Sequence, residues 1–119
     1  MTGDYAKLLP ALERMKIDQF VLEYATPRAG DIEVVGNSLS AHELGLGVVN
    51  PRTDVVEPVD LIVSKAETAL AYFKPEQLFL NTDCGFGCFA SRSVNVEEIA
   101  YKKLCSIVKA SRLLREKYC

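Results

Sequence analysis

The residues able to do chemistry lie where apolar runs stop. Glu23 comes near the end of IDQFVLEYA, Asn50 and Arg52 follow ELGLGVV, and Asp83 and Cys84 follow QLFLN in the stretch NTDCGFG. A carboxylate and a thiolate leaving neighbouring or near-neighbouring strand ends can reach one zinc ion, which takes O and S donors in a tetrahedron. Glu23 and Cys84 would be that pair, and they would fill half of the tetrahedron. The plainer readings are a strand-end carboxylate paired with Arg28 or Arg52, and a core thiol, the usual state of a buried cysteine. Cys84-x-x-x-Cys88 supplies one donor pair and no more, while Cys105 reads as packing beside an apolar stripe and Cys119 as a terminal thiol. His42, the one histidine, precedes its strand and so falls at the opposite end from Cys84. Asp83 is expected to accept hydrogen bonds from loop amides, and Asn50 and Asn81 to tie down loop backbone.

Bringing these groups together requires parallel strands, because in parallel α/β folds functional residues gather at the carboxyl ends. Leu8, Leu9, Leu12 and Met15 repeat at helical spacing, so 5–15 reads as a helix with Pro10 near its first turn or at a kink. Residues 17–25, with Phe20, Val21, Leu22 and Tyr24, read as a strand buried on both faces. A loop at 26–31 leads to a short irregular or helical element around 32–42. The strand expected next, at 43–50, carries Gly45 and Gly47, which suit a crowded position where a neighbouring backbone comes close. Leu61, Ile62, Ala66, Ala69, Leu70 and Phe73 predict a helix over 58–73, with Pro58 at its first position and Glu57 as N-cap. Residues 77–81 read as a third strand and 82–87 as a glycine-containing loop. Asn95 with Glu98 opens a helix over 96–117 that turns Ile99, Leu104, Ile107, Val108 and Leu114 inward.

Strands alternating with helices give an α/β fold with right-handed crossovers, and 119 residues make one domain, 1–119, or a piece of one. A parallel sheet of so few strands, covered on one face, leaves its other apolar face in water. At roughly 25 cal/mol per Å², that exposure forfeits an amount comparable with a small domain's net stability, roughly 5–15 kcal/mol. The chain is therefore expected to be a fragment, or to cover its sheet by self-association or with a complementing chain. A net charge of -2, with lysines and arginines spread along the sequence, argues against nucleic acid or an acidic membrane surface as partner. Charges throughout the first twenty residues, and no later stretch approaching a membrane span, point to a cytoplasmic protein with reduced thiols.

The segments LEYATPRAGD (22–31), LGLGVVNPRTDVVEPVD (44–60), LFLNTDCGFG (78–87) and EEIAYKKLCSIVKASRLLREKY (97–118) closely resemble the C-terminal catalytic barrel of cobalamin-independent methionine synthase and its single-domain relatives. The likeness covers nearly the whole chain, and Asn-x-Asp-Cys-Gly is its most specific element. It implies the C-terminal part of a (β/α)8 TIM barrel, incomplete here, and a zinc-dependent methyltransferase. The implied reaction carries a methyl group from a methyl-folate, 5-methyltetrahydropteroyltriglutamate, to the thiol of homocysteine, giving methionine. In that family zinc is held by a His-x-Cys pair, a glutamate and a second cysteine, and it lowers the thiol's pKa so that a thiolate exists at neutral pH. Glu23 and Cys84 stand in the places of the glutamate and the second cysteine. The His-x-Cys pair belongs to the strand before residue 1, and the amino-acid and folate contacts lie earlier still. The resemblance thus also carries the alternative of a truncated or partner-dependent barrel without catalysis of its own. Where the folate-using synthases have a histidine proposed as proton donor, this chain has Arg52. That departure resembles the single-domain branch, which includes epoxyalkane:coenzyme M transferases, zinc enzymes that also alkylate a thiol. Arg52 would then contact a carboxylate or sulfonate of the substrate.

Overall fold

A computed structural model describes residues 5–26, 31–89, 92–93 and 97–119. A 3-10 turn, Tyr5–Lys7, leads into a short helix α1 (Leu9–Glu13) with Pro10 in its first turn, where the missing N–H breaks no helical bond. There follow β1 (Gln19–Glu23), α2 (Ile32–Leu39), β2 (Glu43–Val49), α3 (Val59–Ala69), a second 3-10 turn (Pro75–Gln77) and β3 (Leu78–Thr82). Two short antiparallel strands, β4 (Gly87–Phe89) and β5 (Arg92–Ser93), precede the long helix α4 (Glu97–Tyr118). The proposed cap Asn95 and the ion-pair candidate Arg28 lie outside the described residues.

Strands β1, β2 and β3 form an open parallel sheet with β2 in the middle. In register, Phe20, Leu44 and Leu78 make one row and Leu22, Leu46 and Leu80 another. Both rows belong to a core completed by Val35 and Leu39 of α2, Ile62 and Ala69 of α3, and Ile107 and Ala110 of α4. The row between them, Val21, Gly45 and Phe79, points to the uncovered face, where Val21 is 61% and Phe79 45% exposed. The strand at 17–25, expected to be buried on both faces, is therefore buried on one. β1 alternates exposed and covered residues because the helices lie on a single side. Of the three strands in this sheet, β2 alone is buried along nearly its whole length, from Leu44 to Val49.

Two helices differ from the apolar pattern of their sequence. Pro58, expected at the first position of α3, is itself the N-cap, with extended backbone. Glu57, expected as the cap, turns its carboxylate to the N–H of Asn50 instead, 2.7 Å away. In α4 the buried stripe is Lys103, Ser106, Ile107 and Ala110, and Leu104 and Val108, expected inward, are half-exposed. Turning Lys103 inward rotates the helix away from that pair.

Candidate functional site

The carboxyl ends of β1, β2 and β3 make one rim, carrying Glu23, then Asn50 with Arg52, then Asp83 with Cys84. Register puts Glu23, Gly47 and Asn81 in one row across the open face. Beyond it β2 bulges between Gly47 and Val49, so that Thr82 pairs with Val49 and Asp83 N–H donates to Val49 O at 2.8 Å. β3 thus runs beside β2 for one further residue before Cys84, a free and partly buried thiol, leaves the sheet.

The Asp83 carboxylate crosses β2 to the far strand. Its Oδ1 accepts from the N–H groups of Tyr24 at 3.1 Å and Ala25 at 3.0 Å, the two residues following Glu23. The crossing needs Gly47: a Cβ there would fall on Asp83 Oδ1 and within 2.8 Å of Leu22 O. From α3, Lys65 Nζ donates to Tyr24 O at 3.2 Å and Ala25 O at 3.0 Å, so both polar edges of these peptide units are held. The Tyr5 hydroxyl accepts from Glu23 N–H at 2.8 Å and lies 3.2 Å from Glu23 O, to which it donates. Burial, joined by the negative charge of Glu23, raises the Asp83 carboxyl above its ordinary value, against the pull of the Ala25 and Tyr24 amides and Lys65. Burial also raises the Tyr5 hydroxyl, with Glu23 and Asp83 adding to the effect and the hydrogen bond to Glu23 backbone opposing it.

The loop after β2 is built around a buried cation. Lys103 Nζ donates to Asn50 O at 3.0 Å, Val55 O at 2.6 Å and Glu57 Oε1 at 2.9 Å, with Thr53 Oγ1 at 3.4 Å. Asn50 Oδ1 accepts from Arg52 N–H at 3.0 Å and so braces loop backbone as expected, whereas Asn81 Nδ2 donates to Thr82 O at 2.8 Å, within the end of β3 itself. Arg52 is exposed on the rim and makes no ion pair with Glu23. His42 sits at the other end of the sheet, its carbonyl accepting from Gln77 Nε2 at 3.0 Å and its ring edge-on to Phe20. Cys105 is partly buried and Cys119 exposed, while the side chain of Cys88 lies outside the described residues.

Glu23 and Cys84 are donors of a kind zinc accepts and leave strands of the same rim, but they make half of a tetrahedral set. Among the described residues no group of three His, Cys, Asp or Glu side chains could hold a metal ion. Sequence reasoning missed Tyr5, Lys65, Glu57 and Lys103. Lys65 had a signal, since it lies three residues after buried Ile62 and four before buried Ala69, on the inner side of α3.

A family model described as the catalytic domain of cobalamin-independent synthase matches residues 2–111. Over 114 residues the chain is 36% identical to a methionine synthase of Pyrococcus abyssi and 33% identical to one of Pyrococcus horikoshii. A methionine synthase of Saccharolobus islandicus is 29% identical over the same length. In each case 96% of this chain is covered but 32% of the relative, so the chain spans about a third of the length of the curated relatives it matches. A solved B12-independent methionine synthase from Shewanella sp. W3-18-1, in complex with selenomethionine, superposes with a TM-score of 0.82 at 18% identity, over 95% of this chain and 31% of that one. The open sheet with helices on one side is thus part of a TIM barrel. Matched by the family model along most of its length, the chain belongs to the cobalamin-independent synthase catalytic-domain family.

Proposed function

We propose that this chain supplies carboxyl-terminal strands of a zinc-dependent methyl-transfer barrel, with Glu23 and Cys84 as two of the metal's ligands. The reaction is transfer of a methyl group from 5-methyltetrahydropteroyltriglutamate to homocysteine, in the cytoplasm. The observation that carries this reading is that Glu23 ends β1 and Cys84 follows β3 on one rim, either side of a strand kept small there by Gly47. The name methionine synthase borne by the Pyrococcus relatives supports the chemistry. Zinc bound between such donors lowers the pKa of a thiol and so supplies a thiolate nucleophile at neutral pH. The chain's own contribution is to present a carboxylate and a sulfur from braced backbone, with Arg52 exposed nearby for an anionic group of the substrate.

A second reading, that the chain is inactive until upstream strands join it, is favoured by its spanning about a third of its relatives and by the lack of a third donor among the described residues. Both readings meet in one experiment. The purified chain is assayed for zinc and homocysteine methylation, alone and mixed with the upstream strands of a relative expressed separately. The expected result is little zinc and no turnover alone, with both appearing on mixing and zinc lost again in Glu23→Gln and Cys84→Ser. Full zinc retention in both variants of the mixed barrel would remove these residues as ligands.

A further inference from the structure

The two donor-bearing strand ends are not neighbours. β2 separates β1 from β3, so the backbone ladders relate Glu23 to Cys84 only by way of β2, the last bond on the β1 side being Tyr24 N–H to Gly47 O at 3.1 Å, an N–H that Asp83 shares. What links β3 to β1 directly, over β2, is the Asp83 carboxylate, anchored at the end of β3 through its own N–H to Val49 O and bonded at its far end to the amides of Tyr24 and Ala25. Lys65 holds the carbonyls of the same two residues, so the peptide units beyond Glu23 cannot turn without breaking bonds at both edges. We propose that Asp83 is a positioning residue: reaching over Gly47, it sets the spacing between Glu23 and Cys84. This rests on reading those two side chains as a ligand pair. Metal ligation tolerates little play, since ligand bonds are roughly 2.0–2.3 Å and a functional group must be held within about 0.5 Å of its place. Hydrogen bonds from amides to a carboxylate are the stronger kind, and here two of them act on adjacent residues.

The test measures the spacing itself, without metal. In a chain whose Cys88, Cys105 and Cys119 are replaced by Ser, Glu23→Cys leaves one thiol at each donor position. Dibromobimane, which fluoresces once both of its arms have alkylated, reports how readily the two thiols are bridged, and monobromobimane corrects for the reactivity of each. With Asp83 and Gly47 intact the pair is expected to bridge rapidly. Asp83→Ala is expected to slow bridging by about tenfold, and Gly47→Ala, whose Cβ presses on the carboxylate and on Leu22 O of β1 together, to do likewise. Asp83→Asn, which keeps one acceptor oxygen, should recover part of the rate. Leu39→Val, a core substitution at the end of α2 beside His42, at the opposite end of the sheet from the rim, destabilises the fold without slowing bridging, which separates positioning from general loosening. Unchanged bridging in both Asp83→Ala and Gly47→Ala overturns the positioning role and leaves the ligand pair standing. Absence of bridging with Asp83 and Gly47 intact overturns the ligand pair, and the positioning role with it.

Discussion

At the scale of the residue, the largest electrostatic commitment among the described residues is Lys103, fully buried opposite a Glu57 whose side chain is 12% exposed. Moving an ammonium out of water is costly, and it persists only where carbonyls and a carboxylate replace its hydration. Here the replacement is the whole loop after β2, whose Asn50 offers its carbonyl to Lys103 and its N–H to Glu57. Glu57→Ala is expected to cost about 3–5 kcal/mol in urea unfolding, because it strands the buried charge. Lys103→Met combined with Glu57→Leu should cost about 1–3 kcal/mol, for the Asn50 N–H and the Asn50 and Val55 carbonyls left without these partners. A loss in the double variant equal to the sum of the losses from Lys103→Met and Glu57→Leu made singly would show that the pair does not act as a unit. This part of the rim was not legible in the sequence: a lysine in an apolar pattern signals the solvent side, and its partners are loop carbonyls roughly fifty residues upstream, which no periodicity encodes. The position of Glu23, Asp83 and Cys84 on one rim was legible, because each closes an apolar run and parallel strands end on the same side.

At the scale of the element, the helices are held against each other by one absent side chain and one tether. Gly36 of α2 lies against Tyr72, just past α3, so closely that a Cβ would stand 2.7 Å from Tyr72 Cβ and 2.8 Å from Cδ2. Gly36→Ala should gain up to about 1 kcal/mol of helix propensity and still destabilise, because overpacking costs about 1–3 kcal/mol. Adding Tyr72→Ala, which removes the ring from that approach, should offset part of the loss. If Gly36→Ala raises the urea midpoint, the close approach is wrong. The tether joins the end of α4 to α3, with Lys117 Nζ 2.7 Å from Glu67 Oε2 and the Tyr118 hydroxyl on the same oxygen. Hydrogen bonding from Lys117, then from Tyr118, holds the Glu67 carboxyl below its ordinary value of 4.5. Its contribution is therefore present above pH 4.5 and lost as pH falls through the lowered folded value. Lys117, raised from 10.5 by its bond to Glu67, contributes below 10.5 and loses this as pH rises through its raised value. The urea-midpoint difference between the parent chain and Glu67→Gln should be flat between these limits and shrink on the acid side, and a constant difference would contradict the tether. The strands and their parallel order were readable from apolar runs between turn residues. The single-sided burial of β1 was not, since an apolar run records what a strand can bury and the helices around it decide what it does bury.

At the scale of the whole molecule, parallel sheets are ordinarily covered on both faces, and this one is covered on one. Val21 and Phe79 stand half or more exposed in the row that crosses the open face, and β1 and β3 each have one strand edge without a partner in the sheet. Exposed apolar rows beside free strand edges favour association with another chain. We therefore expect the isolated chain to self-associate, with a sedimentation coefficient that rises with concentration. Val21→Lys with Phe79→Lys should return it to monomer without lowering the urea midpoint, since neither side chain belongs to the helix-side core. A competing strand-bearing segment separates a specific surface from general stickiness. The upstream strands of a relative, supplied as a separate polypeptide, should suppress self-association of the parent chain and bind the Lys variant weakly. A parent chain that stays monomeric at every concentration and ignores that polypeptide would mean that the open face is stable in water as it stands. The sheet would then need no second body to cover it.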